Sequence, residues 1–340
     1  MLIPHNKPTL GLEEEEAALR VIRSGWMAKG KEVESFQNEF CEFVGLPKGH
    51  AAAVSSGTAA LFLALVISGG KEKNIASPGY VCSALRHAVD MSEGKNVLVD
   101  VGYDSPNIDL EKLFEENPQL AIIPHMFGIP INLSNFKKIP IIEDCTHALG
   151  AKVNGKSVGL EGEFGIFSLY ATKMITSGGF GGMLISKNKK NIDQVIDYIE
   201  YDKKNDDNKR FNFQMGDLQA AIGREQLRKL PKFLARREKI FSKYKDAGLD
   251  VLGVSTEDIQ LEPVRYRAVM KTRNQSKAIK SLKDSDIITG ILNNEWILYQ
   301  NPTKFSNSLN MVRNTISLPI YPSLSDENVE KIISSLDSIN

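Results

Sequence analysis

Between about residues 51 and 190 the chain alternates short, continuous apolar runs with helical segments and glycine-containing turns. Asn96-Val97-Leu98-Val99, Leu120-Ala121-Ile122-Ile123, Ile139-Pro140-Ile141-Ile142 and Met183-Leu184-Ile185 have the length and branching of buried strands. A strand that is apolar on both sides must be covered on both faces, and crossovers between such strands make them parallel. The pattern predicts an α/β fold with a mostly parallel central sheet flanked by helices. In such sheets ligands collect at the carboxyl ends of strands.

The flanking segments carry helical periodicity. Residues 12–24 read as a helix with Leu19 and Ile22 on one face, and Glu13 to Glu16 in its first turn read as a solvated, dipole-favoured start. Val33, Phe36, Phe40 and Phe43 form an aromatic core stripe on a second helix that stops at Gly45. A long helix is expected from about Gly216 to Lys243, with Pro231 as its candidate break. Ser325 caps a last helix, with Asp326 and Glu327 in the first turn and Val329, Ile332, Ile333 and Leu336 on one face.

Composition limits the partners. A chain of 340 residues is long enough for two domains. Lysine plus arginine equals aspartate plus glutamate at 42 each, so no global field draws nucleic acid or anionic membrane, and any anionic ligand must be held locally. The run from Asp202 to Arg210, including Lys203, mixes both signs and reads as a solvated loop. Met1 to His5 show no basic segment followed by an apolar one, and no stretch reaches the ~20 apolar residues that span a bilayer. Three cysteines (Cys41, Cys82, Cys145) in no metal-like spacing suit a reducing cytoplasm, and the five histidines show no metal pattern.

Three short segments carry the chemistry. Ser55-Ser56-Gly57-Thr58 opens a strongly helical run, which is either a phosphate site at a helix N-terminus or an ordinary N-cap. Asp144 ends the run Ile141-Ile142-Glu143-Asp144. It either partners a cation, such as a protonated pyridine nitrogen, or caps a helix. Lys173 follows Phe167-Ser168-Leu169-Tyr170-Ala171-Thr172 and precedes the glycine-rich stretch 178–182. Alone it reads as solvated; in a desolvating pocket it can lose its proton and form an imine. An imine-forming lysine and an acid that can bind a ring nitrogen suggest pyridoxal phosphate chemistry.

In this order and spacing, Ser56-Gly57-Thr58, Glu143-Asp144-x-x-His147-Ala148-x-Gly150-Ala151 and Phe167-Ser168-x4-Lys173 resemble the DegT/DnrJ/EryC1/StrS family, sugar aminotransferases of fold type I. Ser24-Gly25-Trp26 with Gly30, His125-x-Phe127-Gly128-x-Pro130, Phe211-Asn212-Phe213-Gln214-Met215 and Leu318-Pro319-Ile320-Tyr321-Pro322 extend the resemblance over nearly the whole chain. The resemblance implies a large pyridoxal-phosphate-binding domain over 12–240 and a smaller α+β domain over 241–340 joined by residues 1–11. It implies that Lys173 holds the cofactor and moves a proton, Asp144 pairs with the ring nitrogen and His147 lies near the ring's phenolic oxygen. Gly57, Thr58 and Ser168 would hold the phosphate, with Asn212 reaching the site of a neighbouring subunit in a homodimer. The implied reaction is transfer of an amino group from L-glutamate to a keto-sugar, most plainly a nucleotide-linked one, for surface-glycan or antibiotic synthesis. A dehydratase of the same family and a regulatory protein without turnover are the alternatives; the first replaces the lysine by histidine.

Four positions depart from the family pattern. Cys82 stands where an aromatic ring often covers the cofactor, leaving Tyr80 as the candidate for that role. Gln214 replaces an arginine, the loop Ser177–Gly182 is one residue longer and lacks its acid, and the chain is short after residue 270. His125 is read as a satisfied core histidine that organises a turn.

Overall fold

A computed structural model describes residues 2–136, 139–202, 204–254 and 260–336. Its centre is a seven-stranded sheet: β1 (Ala51–Val54), β2 (Asn74–Pro78), β3 (Lys95–Val99), β4 (Leu120–Pro124), β5 (Ile141–Asp144), β6 (Phe164–Ser168) and β7 (Gly182–Ile185). The strand order is β1-β7-β6-β5-β4-β2-β3. β7 pairs antiparallel with both β1 and β6, and every other pairing is parallel. The sheet is therefore mostly parallel and flanked by helices, as the alternating pattern predicts. β5 begins at Ile141 rather than Ile139, and Pro140, which has no N–H to give a ladder, contributes only its carbonyl to Ala121 N.

Apolar layers cover both faces of the sheet. The helix Gly57–Ile67 is apolar nearly all round and packs in one layer with Leu85, Ile192 and Val195. Val33, Phe36 and Phe40 of the helix Lys31–Val44 form the other layer with Phe167 and Met183. The helix ends at Gly45, whose φ of 81° is the left-handed cap geometry that glycine adopts without strain.

The helix Leu12–Ser24 forms as predicted but buries a different face. Ala17 and Val21 pack inward, whereas Leu19 and Ile22 are exposed. Glu14 is buried rather than solvated. It accepts from Gly11 N, Gln226 Nε2 and Lys229 Nζ, each at 2.7 Å, and so ties this helix to the long one.

The long helix runs unbroken over Asp217–Asp246, through Pro231. A proline inside a helix costs about 3 kcal/mol. Here that is offset by burial along the whole length: Leu227, Leu230 and Phe233 enter the second layer, and Ile240, Phe241 and Tyr244 enter a third cluster. The third cluster surrounds the antiparallel pair β8 (Ala268–Lys271) and β9 (Thr315–Leu318) and includes Ile3, Leu282, Val329 and Ile332. Leu298, Phe305, Leu309 and Val312 pack instead against the first layer of the large sheet. Arg237 is buried and donates through Nη1 to the carbonyls of Arg265, Tyr266 and Ile320, so it fixes the chain entering β8 to the long helix. Lys203, residues 255–259 and residues 337–340 lie outside the described residues.

Candidate active site

Three neighbouring parallel strands end on one cavity of about 490 Å³. Pro124 closes β4, Asp144 closes β5 and Ser168 closes β6, and all three line it. The helix start Ser56-Gly57-Thr58 faces them, and Lys173 and His147 complete the wall. Gly57, Thr58, Asp144, His147, Ser168 and Lys173 are thus brought together, at the strand ends where a parallel sheet gathers its ligands.

The helix start has both properties the sequence left open. Ser56 Oγ accepts from Ala59 N at 3.1 Å, so it is an N-cap, and the same turn borders the cavity. A Cβ added at Gly57 would lie 2.8 Å from Ser168 Cβ. Glycine is needed there to let the helix start approach β6 where both border the cavity. Such a cradle fits a phosphate group.

Asp144 is buried and accepts from Thr146 N at 2.9 Å. Burial raises its carboxyl above the ordinary carboxylate range, while the Thr146 hydrogen bonds and the Lys173 charge pull the other way. A buried acid aimed into a cavity and short of positive charge fits a cationic ring nitrogen.

His147 sits in a pile of rings. Tyr266 stacks on it at 4.2 Å, and Phe127 lies parallel on its other flank at 6.1 Å. Burial, then the charges of Lys173 and Arg267, holds its imidazole well below the usual histidine range, so it is neutral. A histidine depressed in this way favours folding above the unfolded pKa of ~6.5 and loses that advantage as pH falls below it. In the cofactor-free protein, unfolding measured from pH 7.5 to 5.0 should show wild type losing up to ~1.4 kcal/mol per unit more than His147→Gln below ~6.5. Parallel profiles would contradict a buried neutral ring.

Lys173 is half-buried. Its backbone N–H donates to Tyr170 O at 2.9 Å, its Nζ stands 5.2 Å from the Tyr266 ring centroid, and Asn6 Nδ2 donates to the neighbouring Thr172 carbonyl. The amino-terminal segment and Tyr266 therefore hold the lysine turn against the cavity. Among the described residues Lys173 has no acidic partner within ion-pair distance.

One residue expected at this cavity, Tyr80, is not brought to it. Tyr80 is completely buried, packs edge-on against Phe127 at 6.1 Å, and faces Thr315 with no hydrogen bond of normal geometry to its hydroxyl. The ring cover expected of Tyr80 is corrected: it supports the pile through Phe127, while Val81 and the exposed Cys82 line the wall. The chain turns after Pro78 so that positions 81 and 82 point inward. Asn212 is exposed and lies outside the cavity of its own chain. Gln214, where the family pattern has arginine, donates to Ile199 O at 2.8 Å and pairs with Val54 behind β1.

His125 is a satisfied core histidine, as read. Its Nε2 meets Glu143 Oε2 at 3.0 Å and its Nδ1 accepts from Ile131 N. His125, Glu143 and Cys145 are close enough together to suggest a metal, but Glu143 also accepts from Gly159, Glu161 and Gly162 N. Its lone pairs are used by protein donors. No sequence pattern singles out Tyr266, Arg267 or Thr146. Tyr266 and Arg267 stand in a weakly patterned stretch, and only the fold brings Tyr266 over His147.

Residues 8–337 match the DegT/DnrJ/EryC1/StrS aminotransferase family. Spore coat polysaccharide biosynthesis protein SpsC of Bacillus subtilis (strain 168) is 28% identical over 381 residues, covering 99% of this chain and 97% of that protein. GDP-perosamine synthase of Escherichia coli O157:H7 is 26% identical, covering 98% of each chain. Spr1654 of Streptococcus pneumoniae, 22% identical, superposes with a TM-score of 0.91 in its apo form and 0.89 in its PLP form. Both comparisons cover 100% of this chain and 98% of that one. The structural likeness speaks to the fold.

Proposed function

This chain belongs to the DegT/DnrJ/EryC1/StrS aminotransferase family, and on that premise we propose that it moves an amino group from L-glutamate to a nucleotide-linked keto-sugar. The family's cofactor is pyridoxal phosphate. What supports the reading is one cavity that combines a lysine with no ion-pair partner among the described residues, a buried acid whose carboxyl burial raises, and a glycine-opened helix start. A relative matched along 98% of its length carries the name GDP-perosamine synthase, which favours a nucleotide-linked acceptor.

When bound, pyridoxal phosphate supplies a ring that takes up electrons from the carbon that loses or gains nitrogen. The residues have separable tasks. Lys173 would hold the cofactor through Nζ and carry the proton at the reacting carbon. Asp144 would keep the ring nitrogen protonated, and neutral His147 would offer a hydrogen bond near the ring oxygen. Gly57, Thr58 and Ser168 would hold the phosphate. Tyr266 and Phe127 keep the His147 ring oriented, and the apolar wall of Leu61, Leu85 and Met126 excludes water. The balance is simple: glutamate leaves as 2-oxoglutarate, and the keto oxygen of the sugar leaves as water.

We read residues 12–240 as the domain that carries the cofactor and 241–340, with 1–11, as the smaller one. Asn212, exposed and not among the residues lining its own chain's cavity, would serve the site of a second copy in a homodimer. Among the described residues no helix is long and apolar enough to cross a membrane, and three free cysteines suit a cytoplasmic enzyme. The test is a panel of nucleotide-linked keto-sugars assayed for L-glutamate-dependent amination. One aminosugar per 2-oxoglutarate is expected; no amination of any panel member with glutamate, glutamine or aspartate would sink the proposal.

A further inference from the structure

Two exposed aromatic rings stand in the wall of the cavity that holds Lys173. Tyr170 is 44% exposed and Phe180 67%, and their centroids lie 5.4 Å apart, edge to face. Single exposed apolar side chains are ordinary, but this pair is built. Leu169 N donates to Gly181 O, Ala171 N to Gly179 O and Ser177 N to Leu169 O, and Gly179 N donates to Thr176 Oγ1. Gly178 and Gly179 have φ of 77° and 135°, so the turn that projects Phe180 requires glycine twice. The hydrogen-bonded turn prevents Phe180 from folding back onto the core.

The position of the pair identifies its occupant. The Lys173 N–H bonds the Tyr170 carbonyl, so the platform begins within one turn of the amine. A carbon that reacts at Lys173 brings its own ring against these aromatics, whereas a nucleobase lies beyond a ribose and a diphosphate.

We propose that Tyr170 and Phe180 form the platform for the hexose ring of the acceptor and select its configuration. The proposal rests on the reading of the acceptor as a nucleotide-linked keto-sugar. Aliphatic C–H groups of a pyranose carry slight positive charge and meet the negative face of an aromatic ring favourably. An axial hydroxyl on that face would lose its water without gaining a partner. The platform therefore favours sugars whose buried face shows hydrogens.

The test is calorimetric binding to the cofactor-loaded protein of UDP, UDP-N-acetylglucosamine, GDP and GDP-mannose. Wild type should bind at least one nucleotide sugar more tightly than its bare nucleotide. Phe180→Ala should erase a margin of roughly tenfold, and Phe180→Trp should keep it. Three results overturn the proposal: no margin in wild type, equal weakening of sugar-linked and bare nucleotides by Phe180→Ala, or a margin that Phe180→Ala leaves unchanged. A shift in oligomeric state with the last would mean that a second copy covers the ring. Failure of the aminotransfer reading is seen separately, as a wild-type cofactor band that no amino donor alters.

Discussion

Lys173→Ala loses the visible absorbance of covalently held cofactor and at least ~10^4-fold of its turnover, while folding normally. The expected loss is large because the proposed mechanism gives one side chain the tasks of both nucleophile and proton carrier. The fold survives because Lys173 Nζ makes no ion pair among the described residues. It touches the Tyr266 ring at 5.2 Å, and its removal strands no partner carboxylate. Stability should stay within about 1 kcal/mol of wild type. The check is an absorbance spectrum and a denaturation curve on the same preparation. A mutant that kept a glutamate-responsive band would show that another residue holds the cofactor.

Asp144→Asn comes next in size, and its effects on stability and activity have opposite signs. Burial raises the Asp144 carboxyl in the cofactor-free protein, so the folded form keeps its proton to higher pH than the unfolded chain. Stability therefore falls as pH rises through the window between the ordinary carboxylate pKa and the raised one, and stays reduced above it. Asparagine removes that penalty. The cofactor-free mutant should unfold at a higher temperature than wild type near pH 7, with the difference shrinking on acidification into the carboxylate range. Its transfer rate should fall ~10^2–10^3-fold, because a neutral amide cannot hold the ring nitrogen protonated. Thermal unfolding from pH 4.5 to 7.5 and single-turnover rates measure the two halves. Wild-type turnover, or a pH profile parallel to wild type, would remove Asp144 from the proposed role.

How much could be read from residues alone differed by element. β3, β4, β5 and β7 are rich in branched residues and were visible as apolar runs. β1, with the sequence Ala51-Ala52-Ala53-Val54, is just as buried but its small side chains carry little hydrophobic signal. β6 hides similarly behind Gly165. Pro231 argued for a break on local grounds, and the helix continues because contacts on both sides of it lie far away in sequence. Glu14 sat unmarked among four glutamates because its partners Gln226 and Lys229 are more than 200 positions along the chain.

The site divides the same way. The Ser56-Gly57-Thr58 helix start, Asp144, His147 and Lys173 lie on strand ends and turns whose short motifs have their own spacing, and they meet in the cavity. Counting four residues on from Pro78 leads to Cys82, which does line the wall; Tyr80 is a candidate only because Cys82 carries no ring, and it packs in the core instead. Tyr266 could not be found from its surroundings, since its place over His147 depends on Arg237 fixing the chain before β8.

The most direct measurement is the visible spectrum of the cofactor-loaded wild-type protein on addition of L-glutamate with no acceptor present. The proposed aminotransfer predicts that the band is replaced by that of the amine form of the cofactor, with one 2-oxoglutarate released per site. A band that stays unchanged with glutamate, glutamine and aspartate would contradict it.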